Sequence, residues 1–158
     1  MALPVLGWKE RASLPDWGIT DLRVKLDTGA RTSAIHVTTM VEVGQHQQED
    51  QVLPVLELTV PLSRAQDGTT ATVTAPVVGY KRVRDTSAQA EQRPVVRTRL
   101  VCGPIDREID ITVTDRTGMI FRMILGRHAL AGHAVVDPNL GYTASHVPSR
   151  VNTGRHRE

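Results

Sequence analysis

Short alternating runs dominate the hydrophobic pattern, and β-branched residues fill most of them. In "DLRVKL" (21–26), Leu22, Val24 and Leu26 fall on one side, the period of a strand with one buried face. "AIHVTTMVEV" (34–43) is a second candidate strand, and the polar "GQHQQEDQ" (44–51) reads as a loop. "VLPVLELTV" (52–60) and "TTATVTAPVVGY" (69–80) predict two more strands around the turn-rich "PLSRAQDG". "VVRTRLVC" (95–102), "REIDITVT" (107–114) and "MIFRMIL" (119–125) complete the set, and "GRHALAGH" (126–133) suggests one short helix. Between them, "KRVRDTSAQAEQRP" (81–94) is the longest polar stretch inside the domain. It predicts a hairpin with its tip near Asp85 to Gln92. With no internal repeat and no linker, the pattern predicts a single domain over 1–148 and a frayed polar tail over 149–158. The predicted class is all-β, a closed barrel with one short helix.

Composition narrows this picture. Aromatic residues are only 3% of the 158, so Val, Ile and Leu must build the core. The 19 basic and 17 acidic side chains nearly cancel, which gives no global case for a nucleic acid partner. Cys102 is the only cysteine, so an internal disulfide and a thiolate metal cluster are both excluded. The first residues lack the basic start and apolar run of a signal peptide, and no run is long enough to span a membrane. The expectation is a soluble cytoplasmic protein with no membrane partner.

Candidate chemistry gathers at "KLDTGARTSAIH" (25–36). An apolar strand ends at Leu26 and delivers Asp27 into a tight turn. Ala30, Thr32, Ser33 and Ala34 then keep the neighbourhood small, leaving room beside the carboxylate. Asp and Gly are turn residues in any case, so the motif alone is also what an ordinary turn requires. About a hundred residues later, "MILGRHAL" (123–130) carries a glycine, Gly126, that permits close backbone approach and is expected beneath the Asp-Thr-Gly turn.

This pairing of Asp-Thr-Gly-Ala with a late hydrophobic-hydrophobic-Gly-Arg resembles retropepsins, the single-domain relatives of pepsin-like aspartic proteases. Further blocks, "LGWKERASLPDWGI", "RPVVRTRL" and "DITVTDRTGMIFRMILGRHAL", are similar to one bacterial family of retropepsin-like proteins long labelled ATP-dependent zinc proteases. The blocks cover most of residues 6 to 131. The resemblance implies an aspartic endopeptidase whose site forms from two copies of Asp27 in a homodimer, since no second Asp-Thr/Ser-Gly exists in the chain. Thr28 would clamp the two loops, and Gly29 and Ala30 would let substrate backbone approach. Gly126 and Arg127 would support the turn from below. The 81–94 hairpin would close as a flap, with Arg84 and Asp85 facing the substrate. One departure stands out: Arg31 occupies a position that is often acidic in viral retropepsins. It must pair with Asp110 or Asp115 or face the substrate. Genes of this family often accompany ATP-grasp ligases that add glutamate to ribosomal proteins, which makes an acidic or glutamate-extended peptide a candidate substrate.

Two other functions compete: a non-catalytic peptide-binding module of the same fold, and a zinc-dependent peptidase. For zinc the candidates are His36, His128, His133, His146 and Asp137, but His128 and His133 lie five apart with no glutamate between them. The reading therefore assigns no metal and no cofactor. Ser33 has His36 nearby in sequence but lacks an oxyanion signature. Cys102 sits in an apolar strand pattern and reads as core. Trp8 and Trp17 read as core or dimer contacts. The cluster Lys81, Arg82, Arg84, Arg93, Arg97 and Arg99 is either a solvated hairpin face or a surface for an acidic substrate. No Gly-x-x-x-x-Gly-Lys-Ser/Thr loop is present, so nothing points to ATP use within the chain.

Overall fold

The computed structural model describes residues 2–63, 68–84, 90–115 and 120–143. Among the described residues ten strands run in chain order: β1 (Val5–Leu14), β2 (Ile19–Leu26), β3 (Ser33–His36), β4 (Thr39–Gln48), β5 (Gln51–Pro61), β6 (Thr70–Arg84), β7 (Ala90–Cys102), β8 (Ile105–Thr114), β9 (Met123–Leu125) and β10 (Val135–Gly141). A 3-10 turn (Pro15–Trp17) joins β1 to β2, and a single helical turn, α1 (Arg127–Leu130), follows β9.

The strands form one sheet in the order β10-β1-β2-β9-β3-β8-β7-β6-β5-β4. It curls until β1 meets β7 again, at the pair Ser13–Val101. One pair closes that ring, and the β4–β5–β6 end runs past it. The described residues are therefore all-β with one short helix, and the closed barrel expected from the sequence is corrected to a curled sheet joined at a single bridge.

Alternation explains why these segments are strands. In β2, Leu22, Val24 and Leu26 are buried while Arg23 and Lys25 are exposed. Leu6, Leu14, Ile19, Ile35, Leu58, Leu100, Ile111, Met123 and Leu125 are fully buried, so aliphatic residues do build the core. Cys102 is fully buried among them, and burial pushes its thiol up to about 12, with the nearby Glu10 adding to the rise. It is a core residue.

Four segments depart from the sequence pattern. Residues 44–48 continue β4 where a loop was expected, and only Glu49 and Asp50 turn the chain. This is an edge strand, so its side chains can be polar on both faces. The strands β1 and β10, which the pattern left unassigned, pair in parallel with each other. Residues 119–125 shorten to a three-residue strand, β9. The expected flap is β6 and β7 paired as far as Arg84–Ala90. Its tip, including Asp85, lies outside the described residues, as do His146 and the 149–158 tail. No helix among the described residues is long and apolar enough to cross a membrane.

Candidate functional site

β9 inserts between β2 and β3, and this topology builds the site. Val24, Lys25 and Leu26 pair in parallel with Met123, Ile124 and Leu125, and Ala34 and Ile35 pair antiparallel with Ile124 and Met123. The Asp27 turn and the Gly126 turn thus leave adjacent strands side by side. The backbone N–H of Asp27 donates to the Leu125 carbonyl at 2.8 Å.

Within the turn, the Gly29 N–H donates to Asp27 Oδ1 at 2.9 Å and the Ala30 N–H donates to the Asp27 carbonyl at 3.1 Å. This Asx geometry fixes one carboxylate oxygen and leaves Asp27 half-buried, with Thr28 and Gly29 exposed. The helical turn braces the same loop. Its leading amides have no helical partner, and they donate outward: Arg127 N–H to the Ala30 carbonyl at 2.8 Å, His128 N–H to the Arg31 carbonyl at 3.0 Å. The Arg127 guanidinium donates to the Thr28 carbonyl at 3.0 Å. Gly126 packs against the backbone of Thr32, and its N–H donates to Ser33 Oγ at 3.1 Å. Ser33 is buried and occupied in that contact.

Asp27, Thr28, Gly29, Ala30, Gly126 and Arg127 therefore sit together, as their spacing in the sequence could not demand. Arg31 is exposed beside them. Asp110, one partner expected for it, is instead bound by Arg97 at 2.8 Å. Arg84 ends β6 on the hairpin, away from this hydrogen-bonded cluster in sequence and in pairing.

A groove of about 570 Å³ opens next to the turn, lined by Thr32 and His128 and by four cations, Lys81, Arg82, Arg97 and Arg107, against two carboxylates, Glu108 and Asp110. Two of its cations are engaged. Arg97 holds Asp110, and Arg107 donates to the His128 and Ala129 carbonyls at 3.2 Å each. Lys81 and Arg82 have no ion-pair partner among the described residues. Arg99, grouped with them by sequence, is bound to Asp106 at 2.7 Å instead, which lowers the Asp106 carboxyl. Thr32, Arg107 and His128 were absent from the sequence-based groove set. Only the docking of α1 against β8 gathers them.

The proposed zinc candidates do not converge: among the described residues, no three His, Cys, Asp or Glu side chains gather as a metal site. His128 and His133 are exposed, and Asp137 accepts the Asn139 N–H. His36 is only 3% exposed. Burial and the nearby Arg122 hold its imidazole below the ordinary 6.5, outweighing Asp115 and the Thr114 backbone. The unfolded chain therefore binds this proton at a higher pH than the native state does. Well above pH 6.5 the group leaves stability unchanged; as pH falls from 6.5 towards the native value, stability is lost. His36→Gln is expected to flatten that part of the curve, measured as urea midpoints between about pH 7.5 and about pH 5.5. A variant whose midpoint fell in parallel with the wild type would assign the acid sensitivity to other groups.

Known proteins agree on the family and correct the reaction. A family model described as RimB-like, retropepsin-like aspartic endopeptidase RimB, matches residues 5–146. A probable alpha-L-glutamate ligase from Parasynechococcus marenigrum (strain WH8102) is 34% identical over 134 residues, which is 85% of this chain and 28% of that protein. A protein of the same name from Desulfotalea psychrophila is 31% identical over 140 residues, 89% of this chain and 29% of its own length. This chain thus spans under a third of the curated relatives it matches. A crystal structure of a Legionella pneumophila protein of unknown function superposes with a TM-score of 0.71 at 28% identity, covering 90% of this chain and 99% of that one. The sequence-based expectation of an aspartic endopeptidase built from two Asp27 is overturned by the curated relatives, which carry ligase names; the endopeptidase wording rests on the family description alone.

Proposed function

Since the chain belongs to the RimB-like family, described as retropepsin-like aspartic endopeptidases, we propose that it is an enzyme of alpha-L-glutamate ligation and holds a glutamyl peptide in the cationic groove beside the Asp27 turn. The observation that carries this reading is the groove itself: Lys81 and Arg82 line it without an ion-pair partner among the described residues. A peptide of glutamates presents a carboxylate at every residue and suits such a wall. Screened surface cations attract it from a distance, and the groove then sets its register. The ligase name of the relatives supports the choice of glutamyl over other acidic peptides.

In this reading the peptide runs along β6 and past Thr32 to Asp27. We assign proton transfer on the bound peptide to the Asp27 carboxylate. Gly29 fixes one of its oxygens by hydrogen bond, leaving the other to act. Arg127 positions the loop through the Thr28 carbonyl and does not touch the peptide.

The test is titration calorimetry with α-linked tetraglutamate and tetraglutamine. Tetraglutamate is expected to bind at least about tenfold more tightly, with the preference shrinking as salt rises. Lys81→Glu with Arg82→Glu is expected to abolish the preference. Equal binding of both peptides, or a preference the double variant retains, would overturn the groove assignment.

A further inference from the structure

Among the described residues β4 has one strand neighbour, β5, so one side of it is an open edge of the sheet. Such an edge turns alternate N–H and C=O groups towards solvent, and natural proteins guard it with lysine, proline, a bulge or short length. The opposite edge, β10, is seven residues long and carries Pro138 in its middle. β4 is ten residues long and holds neither lysine nor proline. A bulge at Val43, between the pairs Glu42–Leu56 and Gly44–Val55, leaves regular pairing on both sides of it. The strand is nonetheless held in place. His46 Nε2 donates to the Val77 carbonyl at 2.7 Å and Gln48 Nε2 to the Val78 carbonyl at 3.0 Å, both reaching over β5 to β6. Near the other end, the Thr39 hydroxyl donates to that of Thr59 at 2.7 Å. An edge already ordered loses little conformational freedom when another strand pairs with it.

Its side chains are both apolar and acidic. Met40, Val41, Val43 and Val52 are 40–60% exposed, four of the nine large apolar residues so exposed among those described. Residues 39–61 carry four carboxylates, Glu42, Glu49, Asp50 and Glu57, and none of the chain's 19 lysines and arginines. All four carboxylates are exposed, and none has an ion-pair partner among the described residues. Strand pairing puts Met40 on one face with Glu42, and Val41 on the other with Glu57. Each face of the edge therefore offers an apolar side chain beside a carboxylate, with Glu49 and Asp50 at the hairpin tip.

We propose that β4 binds an extended basic segment of another protein, which joins the sheet as an added strand. Main-chain hydrogen bonds along the edge supply the pairing. The incoming side chains alternate between the two faces, so lysines and arginines meet Glu42 and Glu57 while apolar neighbours cover Met40 and Val41. Charge decides against a second copy, because β4 paired with itself brings the same four carboxylates of both chains together. A glutamyl peptide is repelled for the same reason. The edge thus takes the opposite charge to the groove beside Asp27, and its assignment does not rest on the glutamyl reading.

The experiment is fluorescence anisotropy of the full chain with a labelled peptide of about eight residues alternating lysine and valine. Saturable binding is expected, weakening as salt rises from about 50 to about 500 mM. The same peptide with glutamate for lysine is expected to bind at least about tenfold more weakly. N-methylation of the lysine-valine peptide's backbone amides keeps every charge but removes the donors that pair a strand, and is expected to cost at least about tenfold. Val41→Lys with Val43→Lys alters two exposed positions, adds the guard this edge lacks and is expected to cost at least about tenfold. Glu42→Gln with Glu57→Gln, a milder pair expected to leave the melting temperature unchanged, should cost about fivefold. The proposal is overturned by absence of saturable binding at low salt, or by equal binding of the glutamate or N-methylated peptide. Binding that both protein variants leave intact would also overturn it, by placing the contact elsewhere. So would sedimentation in which the wild type dimerises without peptide and the Val41→Lys, Val43→Lys protein does not, by assigning the edge to a second copy.

Discussion

Gly126→Ala is expected to destabilise the protein by about 3 kcal/mol, the upper part of the range for overpacking a filled site. A methyl at this position would stand 2.6 Å from both the carbonyl carbon and oxygen of Thr32 and 2.9 Å from its nitrogen. All three are backbone atoms, and that backbone cannot rotate aside as a side chain can. It is also pinned: neighbouring Ser33 accepts the Gly126 N–H, while Ala30 and Arg31 accept from α1. For a chain of this size the melting temperature should fall by about 6–12 °C. Urea unfolding with an unchanged m-value would attribute the loss to the native state. Gly44→Ala is the control, because a methyl there meets only Val55 Cβ, at 3.9 Å, on the edge pair β4–β5. Equal losses in the two variants would sink the close-approach argument.

Asp27→Asn should have the largest functional effect. Asparagine keeps the shape and can still accept the Gly29 N–H through Oδ1, so the turn and the melting temperature should barely change. What it removes is a carboxylate able to take and return a proton, which typically contributes about 10²–10⁴ in rate. The measurement is the rate at which a glutamyl peptide lengthens with glutamate and ATP supplied, followed by mass spectrometry. Tetraglutamate affinity, measured separately, should stay within about twofold of wild type, because no carboxylate helps hold an anion. A variant that alters chain length as fast as wild type would reduce Asp27 to a turn residue. The groove assignment would survive that outcome, since it rests on Lys81 and Arg82 and has its own titration.

Much of the strand content was legible because burial on one face imposes a period of two. Leu22, Val24 and Leu26 declared β2, and Ile109, Ile111 and Val113 declared β8. The signal failed wherever that cause was missing. Gly44 to Gln48 lie on an edge strand with little to bury, so they read as a loop. β1 holds Glu10, a fully buried carboxylate that accepts the Gly7 N–H, and a charged core residue breaks any hydrophobic pattern. Ring closure was misjudged for a different reason: whether a curled sheet seals depends on one register match, Ser13 with Val101, which neither segment encodes alone.

The Asp27 turn and Gly126 could be picked out in the sequence because each is a local demand: a small-residue turn, and a glycine where backbones approach. The strands with one buried face, the buried aliphatic set and these two loops are thus properties of the sequence by itself. Tertiary structure alone decided which cations remain available. Arg97 and Arg99 are neutralised by Asp110 and Asp106 on the neighbouring strand, while Lys81 and Arg82 face an open groove. It also drew Trp8, Phe121 and Tyr142, distant in the chain, around one groove with Lys9, Arg23 and Lys25. The physical reason is the same in both cases. Charge and stacking act through space over a few ångströms, and strand order, which joins β1 to β10 and β2 to β9, determines which distant residues come within that range.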